Sequence, residues 1–225
     1  MRCIIFVGPT ISLAEAKNIL PDAEYFPPAR QSDFLSIVRE RKPDIIGLID
    51  GEFSQSLAVW HKEILDALAR GIHVYGSSSM GAIRAAECAD FGMVGIGHVA
   101  RAFSSYQYTN DDTVALCYDS DYKKISEPLC NILFTTAKMV SNKAITKEQA
   151  EKVQKRAERL YYPERTIKRI CEGIIDPSKY VEFYYDVKKE DAIELLETIA
   201  RLPSDTPKFD PDFRFQKSNL FLPQD

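Results

Sequence analysis

Apolar positions follow two rhythms along the first third of the chain. Residues 3–7, 44–49 and 72–75 are short, nearly continuous runs of branched and aromatic side chains bounded by Gly, Pro or Asp, as buried strands are. Between them the apolar residues fall at helical spacing. Ser12-Leu13-Ala14-Glu15 has capping-box spacing and opens a helix that runs to about Leu20, where Pro21-Asp22 stops it. Ser32-Asp33 opens a second helix, which ends before Lys42-Pro43. A third is expected over residues 57–70 with Gly71 as its stop; it is apolar almost all round and should be largely buried. Such alternation predicts an α/β fold, a small and mostly parallel sheet flanked by helices.

Beyond Glu87 the pattern changes. Gly92, Gly95 and Gly97 precede a polar, tyrosine-bearing stretch over 104–112, and the whole reads as irregular surface. Residues 113–118 can add one more strand, and from Pro128 onward the spacing is mainly helical, with a charged amphipathic segment at 147–159. The expected organisation is an α/β core over 1–120 and a helical lobe with a tail over 121–225. In the tail, Pro203, Pro207, Pro211, Pro223 and Phe209, Phe213, Phe215, Phe221 follow no period, which suits a segment that wraps the body or docks a partner.

Composition narrows the classes. The chain has 225 residues, 45% hydrophobic and 28% charged, enough for one substantial core with a smaller lobe. A formal net charge of −4 argues against nucleic acid as a partner. No apolar run approaches a membrane span and the first residues are too short a run for a signal sequence, so no membrane and a cytoplasmic location are expected. The five cysteines are odd in number and lack C-x-x-C spacing, and only His61, His73 and His98 could join them, so neither a disulfide framework nor a metal site is expected.

Candidate chemistry gathers where the three strands end. If they are parallel, their carboxyl ends share one edge, where open α/β sheets bind ligands. The turns there are Gly8-Pro9-Thr10, Asp50-Gly51-Glu52 and Ser77-Ser78-Ser79, the last running into a helix opened by Met80-Gly81. Ser77-x-Ser79-x-Gly81 is a partial match to the nucleophile elbow G-x-S-x-G, with serine in place of the first glycine. The ordinary alternative is a serine N-cap, and strand-to-helix turns use Gly, Pro and Asp in any case. A serine needs a base, and the apolar third helix carries His61-Lys62-Glu63. On a helical wheel His61 falls with Leu57, Ile64 and Leu68, while Lys62 lies at the margin, so geometry alone favours His61 as the inward group. Lys62 acts as a base only where desolvation lowers its pKa. Arg84, one turn beyond the serines, is a candidate for a substrate carboxylate or phosphate. Gly92-Met93-Val94-Gly95-Ile96-Gly97 departs from G-x-G-x-x-G and is read as a loop, and Asp111-Asp112 as a capping or turn pair.

Gly8-Pro9-Thr10, Pro27-Pro28-Ala29, Ile46-Gly47-Leu48-Ile49-Asp50-Gly51, Val59-Trp60-His61-Lys62-Glu63-Ile64-Leu65 and the stretch from Gly76 to Glu87 occur in order over about residues 5–115. Together they resemble the core domain of TfuA-like proteins. That resemblance implies work beside a YcaO enzyme in peptide backbone thioamidation. The YcaO partner uses ATP to activate the amide, and the TfuA-like protein needs no cofactor. It implies hydrolysis of the C-terminal thiocarboxylate of a ThiS-like sulfur-carrier protein, releasing sulfide for the partner. The family's serine–lysine pair, carried over, falls on the run Ser77, Ser78, Ser79, with Ser79 as first choice, and on Lys62, which displaces His61. Gly8, Pro9, Thr10, Asp50, Gly51, His61, Met80, Gly81 and Arg84 become the substrate-binding set. The alternative role is a noncatalytic adapter that recruits the peptide or protein to be thioamidated to a YcaO enzyme. The helical lobe carries no signature of its own.

Overall fold

The computed structural model describes residues 1–52 and 57–216. These form two compact units, one of Met1–Gln107 with the chain from Asp191 onward, the other of Tyr108–Glu190.

The first unit is a parallel sheet with helices in its crossovers, as the alternating pattern predicts. In chain order it contains β1 (Cys3–Phe6), α1 (Leu13–Ile19), β2 (Glu24–Phe26), α2 (Asp33–Arg41), β3 (Ile45–Leu48), α3 (His61–Ala69), β4 (His73–Ser77), α4 (Met80–Glu87), β5 (Val94–Ile96) and α5 (Gly97–Ser104). The strand order is β2-β1-β3-β4-β5, every pair is parallel, and the register sets Ile4 beside Ile46 and Ile46 beside Val74. Alternation divides the strands between two cores. Ile4, Phe6, Ile46, Leu48 and Val74 pack with Phe34, Ile37, Ile64 and Leu68 of α2 and α3. Cys3, Ile5, Ile45 and Tyr75 point the other way, toward Ala16 of α1 and Leu195, Leu196 and Ile199. The last three lie on a long helix, Val187–Ala200, whose greater part therefore belongs to this unit. A Cβ on Gly47 would stand 3.2 Å from both Ile199 and Leu195, so that helix packs closely because position 47 has no side chain.

The second unit contains α6 (Leu129–Ser141), α7 (Lys147–Arg159), α8 (Ile167–Cys171) and α9 (Pro177–Glu182); the long helix Val187–Ala200, whose first residues it also holds, is α10. Leu129, Ile132, Met139, Val153, Ile170 and Tyr180 fill its core. Two buried cations hold the irregular segment before α6. Arg165 donates to the Asp112 carbonyl at 2.9 Å and pairs with the Asp112 carboxylate, and Lys188 Nζ donates to the Val114 carbonyl at 2.8 Å.

Several expectations are corrected. Residues 113–118 form no strand; the segment is fastened through Asp112 and Val114, and Tyr118 makes only an isolated bridge with Lys124. The chain from Asp191 onward joins the α/β unit, not the helical lobe assigned to 121–225, because α10 supplies the layer over one sheet face. The glycine-bearing segment read as a loop contains β5 and opens α5. The third helix begins at His61, not at residue 57, since Leu57 and Ala58 pair with Gln31 and Arg30. Of the tail aromatics, Phe209, Phe213 and Phe215 wrap onto the first core, while Phe221 and Pro223 lie outside the described residues.

Candidate active site

In this strand order the chain leaves β1 toward one side and β3 toward the other, so the switch point lies between their carboxyl ends. The loop after β1 is closed by Asp50, which follows β3. The Gly8 and Thr10 amides donate to Asp50 Oδ2 at 2.8 and 3.1 Å, and Thr10 Oγ1 donates to Oδ1 at 2.6 Å. Asp50 is 1% exposed, so its carboxylate holds Gly8-Pro9-Thr10 in place and does not face a ligand. Gly51 bridges to Ala29, and a Cβ there would stand 2.7 Å from Met80 Cγ. The turns after β1, β3 and β4 are thereby brought against one another.

The serines occupy the tightest of these turns. β4 ends at Ser77, Ser78 has a left-handed φ of +64°, and the Ser79 amide donates back to the Ser77 carbonyl at 2.7 Å. A hydrogen bond across one residue with positive φ is the rare, strained form of the γ-turn. Glycines flank it where backbone meets backbone. A Cβ on Gly76 would overlap the Gly81 carbonyl, and one on Gly81 would overlap the Leu48 carbonyl. This small-residue pair lies five positions apart, one more than in G-x-S-x-G, so two serines, Ser78 and Ser79, share the apex. Ser77 and Ser78 are fully buried with their hydroxyls 3.0 Å apart, and Ser79 is 4% exposed.

Ser79 stands at the N-cap of α4 but makes no side-chain cap hydrogen bond, which argues against the ordinary capping explanation. In the first turn of that helix the Gly81 amide donates to the Ile49 carbonyl at 3.3 Å and the Ala82 amide to the Ser79 carbonyl at 3.0 Å. The Met80 amide has no acceptor among the described residues.

The other expected residues are placed less favourably for chemistry. His61 is not inward: its side chain is 45% exposed and its Nε2 meets Glu87 Oε2 at 2.8 Å. The wheel failed because His61 is the first residue of its helix and Leu57 is not helical at all. Arg84 donates to the Val59 carbonyl at 2.9 Å and to Glu87 at 2.5 Å, so it fastens the segment that leads into α3 to α4. Burial pushes the Glu87 carboxyl up, but His61 and Arg84 outweigh it and hold the group below the usual range. Lys62 is half-buried, makes no hydrogen bond to any of the three serines, and has no ion-pair partner among the described residues.

Two carboxylates escaped the sequence reading. Glu63 is 1% exposed; its Oε1 accepts from the Ser32 and Trp60 amides at 3.0 and 3.2 Å, its Oε2 has no partner among the described residues, and burial pushes its carboxyl up. The spacing Trp60-x-x-Glu63, a glutamate reaching back to its own N-cap amide, was the available signal. Asp191 sits at the start of α5 and accepts from the His98 and Val99 amides, both at 2.7 Å. Burial pushes its carboxyl up to about 6 against the pull of those amides. No sequence signal pairs residues so far apart.

Among the described residues no three His, Cys, Asp or Glu side chains group to hold a metal, and no helix is long and apolar enough to cross a membrane. A family model described as TfuA-like protein matches residues 50–166, just over half of the chain. The match takes in the serine turn and α3, and it extends into the helical unit, where the sequence reading found no signature. Comparison with curated proteins returned no match.

Proposed function

The chain belongs to the TfuA-like family, and on that premise we propose that it hydrolyses the C-terminal thiocarboxylate of a ThiS-like sulfur carrier and supplies sulfide to a YcaO enzyme for thioamidation. The observation that carries the reading is the strained γ-turn at Ser78, which sets Ser79 at a helix start whose next amide, that of Met80, has no acceptor among the described residues. Ser79 Oγ attacks the thiocarboxylate carbon as the Lys62 amine takes the hydroxyl proton. The Met80 amide donates to the oxygen on which negative charge grows. The C–S bond then breaks, the electron pair leaves on sulfur, and Lys62 returns the proton to give hydrosulfide. Water hydrolyses the acyl-serine with Lys62 again as base, leaving the carrier with a carboxylate. Ser79 is preferred over Ser78 because the amide following Ser78 is already bonded to the Ser77 carbonyl. The reaction requires Lys62 Nζ within hydrogen-bond reach of Ser79 Oγ in the bound complex, where catalytic contacts often tighten. The chain itself needs no cofactor, and ATP is used by the YcaO partner.

The near-complete burial of all three serines favours a second reading, a noncatalytic adapter for the YcaO enzyme. Sulfide release from a thiocarboxylated carrier separates them. Ser79→Ala should lower release on the order of 10³-fold or more. Lys62→Ala should lower it comparably, and Lys62→Arg should not rescue it because a guanidinium stays protonated. Undiminished release by Ser79→Ala removes Ser79 from the reaction. A wild-type protein that binds carrier and substrate peptide but releases no sulfide is an adapter.

A further inference from the structure

At the amino edge of the sheet, opposite the serines, a cleft of about 360 Å³ opens below the starts of β3 and β4. Among the described residues its lining includes the cations Arg39, Lys42, Arg70 and Lys208 against one acid, Asp44, although the whole chain carries a net charge of −4. Asp44 Oδ2 accepts the Arg2 amide at 2.7 Å, and Arg70 Nε is held by Asp66 at 2.7 Å. Lys42 and Lys208 have no ion-pair partner among the described residues. Basic residues at helix C-termini ordinarily complement the dipole, and that accounts for Arg39 and Lys42 at the end of α2 and Arg70 at the end of α3.

It does not account for Lys208, which the tail delivers from far along the chain. Hydrogen bonds hold the residues on either side of it. The His73 ring nitrogen meets the Pro207 carbonyl oxygen at 2.8 Å, and the Phe209 amide donates to the Gly71 carbonyl at 3.1 Å. Lys42 is also held unusually, in the left-handed region at φ +49°, where Gly or Asn is the ordinary choice. We propose that this cleft binds a small organic diphosphate. Cations arriving from three separate segments suit charge spread over several oxygens, whereas a lone carboxylate is satisfied by one arginine fork. The volume exceeds a diphosphate, and Val38 and Ile72 offer apolar surface for the organic part.

Calorimetric titration of the full chain with ADP and with pyrophosphate tests this. The expected result is saturable binding that weakens at least about tenfold in the Lys42→Ala/Lys208→Ala double variant and weakens again as salt is raised. Lys17→Ala, on the exposed side of α1, and Ser79→Ala should bind as the wild type does. Tighter binding of ADP than of pyrophosphate supports the apolar contact; equal binding supports the site and assigns its affinity to the cations alone. No saturable binding of either probe up to about 1 mM, or unchanged affinity in the double variant, overturns the proposal.

Discussion

Two helices of the same unit begin after neighbouring strands at the same sheet edge, and they treat their first turns in opposite ways. At α5 the chain answers its own unpaired amides: Asp191 takes those of His98 and Val99 at 2.7 Å each, and the site is filled. At α4 the cap residue Ser79 makes no side-chain cap hydrogen bond, the Met80 amide has no acceptor among the described residues, and the preceding residue is strained. A fold that meets the ordinary requirement at one helix and, among the described residues, leaves it unmet at the next supplies an internal standard. The difference singles out α4, not merely the carboxyl edge, as the helix start to which the proposed chemistry is assigned.

The largest effect that would break this comparison is at the glycines. Gly81→Ala drives a Cβ into the Leu48 carbonyl, a backbone obstacle that cannot rotate away, and should destabilise the protein by about 4 kcal/mol in urea unfolding. Gly97→Ala meets the Asp191 carboxylate instead, at a φ of +94°. Part of its cost should vanish in the Gly97→Ala/Asp191→Ala background, measured against Asp191→Ala alone, because that obstacle is a side chain. If Gly81→Ala costs under about 1 kcal/mol, the serine turn is not tightly built and the contrast dissolves.

How much of this was legible in the sequence follows from the same physics. β1, β3 and β4 announced themselves because buried parallel strands are continuous apolar runs. β2 and β5 did not, being three-residue edge strands, half-buried or exposed, one ending at Pro27-Pro28 and the other holding Gly95. The start of α3 was misplaced because pairing of Leu57 and Ala58 with the segment after β2 overrides a helical pattern. At the site, the glycines and serines showed where the turn would lie. That Asp50 faces inward, and that strain sits on Ser78, depends on close approach of Gly76, Gly81 and Leu48, which residue types alone do not encode.

A smaller effect sharpens the α5 side. Asp191→Ala leaves the His98 amide half-buried and the Val99 amide buried, both unpaired, and should cost about 3 kcal/mol. The pH dependence has a definite sign. Burial raises this carboxyl from 3.8 to about 6 in the folded state, with Glu194 adding to the rise and His98 opposing it. The protonated form therefore favours folding: its contribution is complete below about pH 3.8 and is lost as pH climbs through about 6, by at most about 3 kcal/mol. Urea midpoints between pH 4 and 7 should fall across that window in the wild type and flatten in Asp191→Asn. A wild-type midpoint that rises across the same window would mean that the amides outweigh burial, and that α5 is charged and filled throughout.

The smallest effect bears most directly on α4. Ser78→Gly and Ser78→Ala both delete the hydroxyl 3.0 Å from Ser77 Oγ, so their difference isolates the backbone. At an ordinary position alanine is the more stable because glycine loses more freedom on folding, by roughly 0.5–1 kcal/mol. At a φ of +64° a Cβ costs roughly 1–2 kcal/mol, and the order should reverse, with the glycine variant ahead by about 1 kcal/mol in thermal or urea unfolding. The inversion of sign is the readout, because it does not depend on how the lost hydrogen bond is apportioned. Alanine as the more stable variant would mean that the turn stores no strain, and the two helix starts would then differ only in whether a carboxylate happens to reach them.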